Sequence, residues 1–89
     1  MMERYVQNKE IVQSKIGEEV VMLDMESGSY FGLNAVASAI WEKLEHAVDF
    51  KELVESLLTQ FDVDQTECEA DTKELLEQML ANNIIRRAK

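Results

Sequence analysis

The chain changes its hydrophobic period once, near residue 34. Upstream, Val20, Met22 and Asp24 alternate with Val21, Leu23 and Met25. A β-branched, apolar segment of period two predicts a strand, with Val21, Leu23 and Met25 as its inward face. Glu26, Ser27, Gly28 and Ser29 predict a turn in which Gly28 takes positive φ, and Tyr30 to Leu33 predicts a short aromatic strand that completes a hairpin. Glu10 to Ser14 is a weaker strand candidate, set off from the hairpin by Lys15 to Glu18 with Gly17 as the turn residue.

Downstream the spacing becomes helical. Val36, Ala37, Ile40, Trp41 and Leu44 form one apolar stripe behind an Asn34 N-cap, which predicts a first helix ending near His46 or Ala47. Asp49 followed by Glu52 reads as a capping box, flanked by Val48 and Leu53, and predicts a second helix from Phe50 to about Phe61. That helix is expected to bury Leu53, Val54, Leu57, Leu58 and Phe61. Asp64 with Glu67 repeats the device and predicts a third helix from Gln65 to about Ala81. Its apolar stripe is Cys68, Thr72, Leu75, Leu76, Met79 and Leu80. Asn82 and Asn83 suit a left-handed C-cap, after which Ile84 and Ile85 pack or pair before the basic tail of Arg86, Arg87 and Lys89. The class is α+β: a three-stranded antiparallel sheet followed by three helices.

Composition narrows the function. A chain of 89 residues has surface for one hydrophobic core, so residues 1–89 are expected to form a single domain. Cys68 is the one cysteine, so no internal disulfide forms, and a cytoplasmic setting is expected. The first residues lack the apolar region of a secretion signal, and no apolar run reaches the roughly 18 residues that span a membrane. The net charge of −9 repels phosphate backbones and attracts cationic peptides, which argues against nucleic acid as a partner.

Chemistry-bearing residues are sparse. His46 and Cys68 are the one Cys–His combination, but His46 falls in the predicted last turn of a helix, where imidazole meets the dipole favourably, and Cys68 lies on an apolar stripe. The carboxylates occupy exposed helical positions such as Glu42, Glu45, Glu55, Glu74 and Glu77, which reads as a solvated face. No Cys/His spacing suits zinc and no glycine pattern suits a phosphate, so neither metal nor cofactor is expected. Nor is catalysis, for want of a convergent titratable cluster. The strand Tyr30-Phe31-Gly32-Leu33 stands out instead. As the last strand before the helices it is expected at a sheet edge, with backbone groups free to pair with an incoming strand and Gly32 permitting close approach.

Taken in order, Val21-Met22-Leu23-Asp24, then Ser27-Gly28-Ser29-Tyr30-Phe31-Gly32-Leu33-Asn34, then Ile40-Trp41-Glu42, resemble the family of coenzyme PQQ synthesis protein D. Phe50 to Phe61, and Cys68-Glu69-Ala70-Asp71 through Leu80 to Ile84-Ile85, resemble that family's second and third helices. The resemblance implies a winged helix-turn-helix fold and the binding of leader segments of ribosomally made peptides. It implies that the leader adds as an antiparallel strand to the third strand, here Ser29, Tyr30, Phe31, Gly32 and Leu33, beside a third helix that supplies Cys68, Asp71, Thr72, Leu75, Leu76 and Met79. The hairpin and first helix look more like the stand-alone recognition proteins of lasso-peptide clusters than like PQQ-pathway members. A lasso arrangement implies a leader peptidase as partner, and a PQQ-like one a radical SAM enzyme. A winged-helix DNA-binding regulator is the competing expectation from fold alone. Charge opposes it, because the third helix sets Lys73 against Glu67, Glu69, Asp71, Glu74 and Glu77.

Trp41 is the largest side chain on the predicted core stripe. Trp41→Ala is therefore expected to cost about 3–5 kcal/mol in denaturant unfolding, and an unchanged melting curve would contradict the core assignment.

Overall fold

The computed structural model describes residues 3–17, 19–26, 28 and 30–88. In chain order the elements are β1 (Arg4–Gln7), β2 (Ile11–Ile16), β3 (Glu19–Asp24), β4 (Tyr30–Leu33), α1 (Ala35–Lys43), β5 (Val48–Asp49), α2 (Phe50–Gln60), α3 (Gln65–Ala81) and β6 (Ile85–Ala88). The strands form two antiparallel three-stranded sheets, ordered β2-β3-β4 and β5-β1-β6. The first is the expected sheet, followed by the three expected helices.

The second sheet is not foreseen by the hydrophobic pattern. β1 pairs with β6 through Tyr5↔Arg87 and Gln7↔Ile85, and with β5 through Tyr5↔Val48. Its strands are short and polar, so their pairing is stabilised by contacts distant in sequence rather than by a period-two signal. The ion pairs along it, Arg87 to Glu3 at 3.0 Å and Arg86 to Glu10 at 3.5 Å, are exposed and add little.

This sheet also explains why α1 stops at Lys43 rather than near His46 or Ala47. The Leu44 carbonyl accepts from the Gln7 backbone N–H at 2.9 Å, and the Trp41 carbonyl accepts from Gln7 Nε2 at 2.7 Å. β1 thus supplies donors to carbonyls of the helix end, the Trp41 carbonyl also accepting from the Leu44 N–H at 3.1 Å, and the chain turns so that Val48 can reach β1. His46 accordingly lies exposed beyond the helix, not in its last turn.

All three helices begin as the caps predict. Asn34, Asp49 and Asp64 each accept from the backbone N–H three residues on. Their apolar stripes meet β3 in one core that contains Met22, Ile40, Trp41, Leu44, Leu53, Leu57, Leu76 and Ile85, with Phe61 and Leu75 half-buried against it. The Trp41 indole donates to Gln13 Oε1 at 2.7 Å, so the largest core side chain keeps its polar atom satisfied.

The inward face of β3 is the reverse of the expectation. Val20 and Met22 are buried, while Val21 and Leu23 are half-buried and Met25 is 65% exposed. β3 is apolar on both faces, so its period says only that residues alternate. The packing of the helices against Val20 and Met22 decides the phase.

The end of α3 is closed by a Schellman motif. Asn83, at φ 59°, donates to the Leu80 carbonyl, and Ile84 donates to the Met79 carbonyl at 2.9 Å. Buried Asn8 locks the corner: its Nδ2 donates to the Asn83 carbonyl at 2.6 Å and its backbone N–H to the Ile84 carbonyl at 3.0 Å. Asn8→Ala is expected to lower stability by about 1–3 kcal/mol, through loss of the two hydrogen bonds its side chain makes, to the Asn83 carbonyl and from the Glu10 N–H. Asn83→Gly should be tolerated, whereas Asn83→Val should cost at least about 1–2 kcal/mol from left-handed strain. Urea melts of the three variants test this ordering.

Candidate functional site

β4 pairs with β3 from Val20↔Leu33 to Leu23↔Tyr30 and has no strand on its other side among the described residues. In an antiparallel strand, the residues that do not exchange hydrogen bonds with the neighbour direct their backbone groups to the open edge. Opposite that edge stands α3.

Between them runs a trough. At one end it is lined by Phe31, Gly32, Leu33 and Ala37 on the β4–α1 side and by Leu75, Gln78, Met79 and Asn82 on the α3 side. It continues between Asn34 and Val36 on one wall and Asp71, Glu74, Leu75 and Gln78 on the other. Beyond Val36 and Asp71 it reaches a small apolar pit of about 40 Å³ formed with Leu57, Phe61, Val63, Cys68 and Thr72. The two main stretches hold about 210 and 270 Å³ and are open to solvent. Sharing Asn34, Leu75 and Gln78, they join into one open groove rather than an enclosed cavity, a form that suits an extended chain better than a compact ligand.

The trough wall resolves which residues of α3 face outward. Cys68, Thr72, Leu76 and Met79 are buried, at steps of four, four and three, and form the core side. Asp71, Leu75 and Gln78 each come one residue before a buried position, Thr72, Leu76 and Met79, and with Asn82 at the helix end they line the trough. Met79 belongs to both surfaces, Cys68 and Thr72 reach only the pit, and Leu76 lines none of these spaces. Of the strand residues expected at the site, Phe31, Gly32 and Leu33 line the trough and Tyr30 is exposed beside it, while Ser29 lies outside the described residues.

Glu74, Gln78 and Asn82 were not foreseen. The signal that could have found them is the second helical stripe, offset from the apolar one by a single residue, in which polar side chains alternate with Leu75. Asn34 contributes through its position: its Oδ1 is occupied by the Ala37 N–H at 2.8 Å, so it caps α1 while forming part of the wall. Among the ionisable side chains lining the trough, Asp71 and Glu74 are exposed and acidic, and no basic residue joins them. The rim therefore favours a cation. Cys68 is a free, buried thiol 3.9 Å from the Thr72 hydroxyl, and the described residues include no group of His, Cys, Asp and Glu able to hold a metal.

A model of the family described as coenzyme PQQ synthesis protein D matches residues 19–85. Two solved structures are similar across nearly the whole chain. One, described as TbiB1 in complex with the TbiA(beta) leader peptide, is 31% identical with a TM-score of 0.81, covering 91% of this chain and 94% of that one. The other, described as lasso peptide synthetase B1 complexed with the leader peptide, is 25% identical with a TM-score of 0.78, covering 92% and 96%. No curated protein matches the chain.

The two stripes of α3 make different demands on stability. Leu76→Ala is expected to cost about 2–5 kcal/mol, whereas Leu75→Ala, with its side chain half exposed in the trough, should fall below that range. Thermal melting of the pair distinguishes the core face from the trough face.

Proposed function

From its membership in the coenzyme PQQ synthesis protein D family, to which this chain belongs, we propose that it is an adaptor that binds the leader segment of a ribosomally made precursor peptide. The observation that carries this reading is the open edge of β4 facing α3 across a trough. Similarity to two proteins described in complex with leader peptides supports it. The leader adds to β4 at Tyr30, Phe31, Gly32 and Leu33, with Ser29 preceding them. Backbone pairing supplies affinity without regard to sequence, and side chains directed into the trough meet Asp71, Leu75, Gln78 and Met79 and supply selectivity. A lysine or arginine of the leader meets Asp71 and Glu74.

Whole-chain similarity to a lasso peptide synthetase B1 protein favours the lasso arrangement, in which the partner is a leader peptidase, over a radical SAM partner. In this reading residues 1–89 act as one domain in the cytoplasm, where precursors are made, and the chain presents its cargo without chemistry of its own. No helix among the described residues is long and apolar enough to cross a membrane.

The TbiA(beta) leader peptide is a ready probe. Its addition is expected to slow amide exchange across Tyr30–Leu33 and to shift resonances of Leu75 and Gln78. Leu75→Lys should weaken binding by about tenfold or more while circular dichroism stays unchanged, since one lost apolar contact of this size is worth about 1.5–3 kcal/mol. Association of a lysine-bearing leader should slow as salt rises, with dissociation less affected. Protection confined to α2 or β1 would place the site elsewhere.

A further inference from the structure

The β2-β3-β4 sheet has two faces, and the helices cover one. Ile11, Val20, Met22 and Leu33 are buried on the covered face, with Gln13 bonded to Trp41. The other face carries Val12, Leu23 and Tyr30 in one cross-strand row and Ser14, Val21 and Gly32 in the next. Charged residues make up 30% of the chain, yet none of these six is charged. Val12 is 46% and Tyr30 73% exposed, while Val21 and Leu23 are half-buried.

Gly32 ends the second row on the edge strand. Positive φ does not require a glycine there, because the glycines in that region are Gly17 and Gly28. Crowding does not require one either, since a methyl group at Gly32 would meet no atom within 4 Å. What the missing side chain leaves is bare backbone at the rim, with Val21 behind it and Tyr30 alongside. Glycine inside a strand weakens it and often marks a place where another chain approaches closely.

We propose that this outer face is a second reading surface for the same peptide, and that the strand paired with β4 carries an aromatic or large aliphatic side chain opposite Gly32. The inference rests on the proposed leader-binding role and deepens it. A β-strand directs alternate side chains to opposite faces, so any strand that sends residues i and i+2 into the trough must present i+1 on the outer face. Directly opposed residues have Cβ atoms about 4.5–5.5 Å apart and diagonal ones reach to about 7–8 Å, so a large side chain there lies across the glycine toward Val21 and against Tyr30. An aromatic ring laid over a cross-strand glycine is a known way of covering such a gap. The ligand class is therefore an extended peptide with polar or cationic residues toward α3 and a bulky apolar residue on the opposite side.

The test selects binders to the wild-type protein from a displayed library of linear peptides, locates them by cross-strand nuclear Overhauser effects, and replaces the residue opposite Gly32 by alanine. Alanine is expected to weaken binding about fivefold in the wild type. Gly32→Thr fills the gap with a strand-favouring residue, and it should abolish the preference for the bulky side chain over alanine, read as the ratio of the two peptides' affinities for the same variant. Tyr30→Ala should halve the preference or more. Peptides that pair with β4 but tolerate alanine would overturn this inference alone, as would a preference that survives both protein variants. Peptides that bind away from β4 would overturn the leader-binding site and this inference together. The peptide substitution needs no altered protein, so the outcome stands even if one variant misfolds.

Discussion

The geometry of the trough depends on where α3 ends. A helix of 17 residues capped at its start by Asp64 could pivot over the sheet if its other end were loose. Asn83 in the left-handed region turns the chain sharply, and buried Asn8 receives the corner through the Asn83 and Ile84 carbonyls. Because Asn8 also closes the bend between β1 and β2, accepting from Glu10 N–H through its side chain, the same residue ties the helix end to the start of the β2-β3-β4 sheet. Buried polar groups hold position better than apolar ones because their partners must lie at defined angles and distances. The second sheet completes the clamp: β6 leaves this corner and pairs with β1.

With α3 held, the trough offers backbone groups on one wall and side chains on the other. An edge strand is ordinarily a hazard, since unpaired N–H and C=O groups invite any extended chain. Here the edge is short, four residues, and faces a wall with acidic residues at its rim. Net charge of −9 discourages pairing with a second copy of the same chain and favours a cationic one. The charge that would favour a cationic peptide thus also discourages self-association.

β3 shows how two faces of one strand serve different ends. Met22 and Val20 anchor the core, while Val21 and Leu23 sit on a face that the chain leaves largely open. A strand apolar on both sides would normally lie between two layers. Its outer face has one layer missing, and the uncharged rows that end at Tyr30 and Gly32 bring that face to the open edge of β4.

Local physics was legible in the sequence. The three N-caps, the starts of all three helices, the left-handed Asn83 and the hairpin turn at Gly28 follow from side-chain chemistry acting within a few residues, and they appear where that chemistry put them. The ordered motifs from Val21 to Trp41 also pointed to the family and its peptide-binding role. Tertiary structure decided the rest. The inward face of β3, the early end of α1 at Lys43, the sheet of β1, β5 and β6, and the split of α3 into a core stripe and a trough stripe each depend on what packs or pairs from far along the chain. An apolar residue records that it prefers burial, not which neighbour will bury it. For two adjacent stripes one residue apart, as with Leu75 and Leu76, only the assembled core makes the choice.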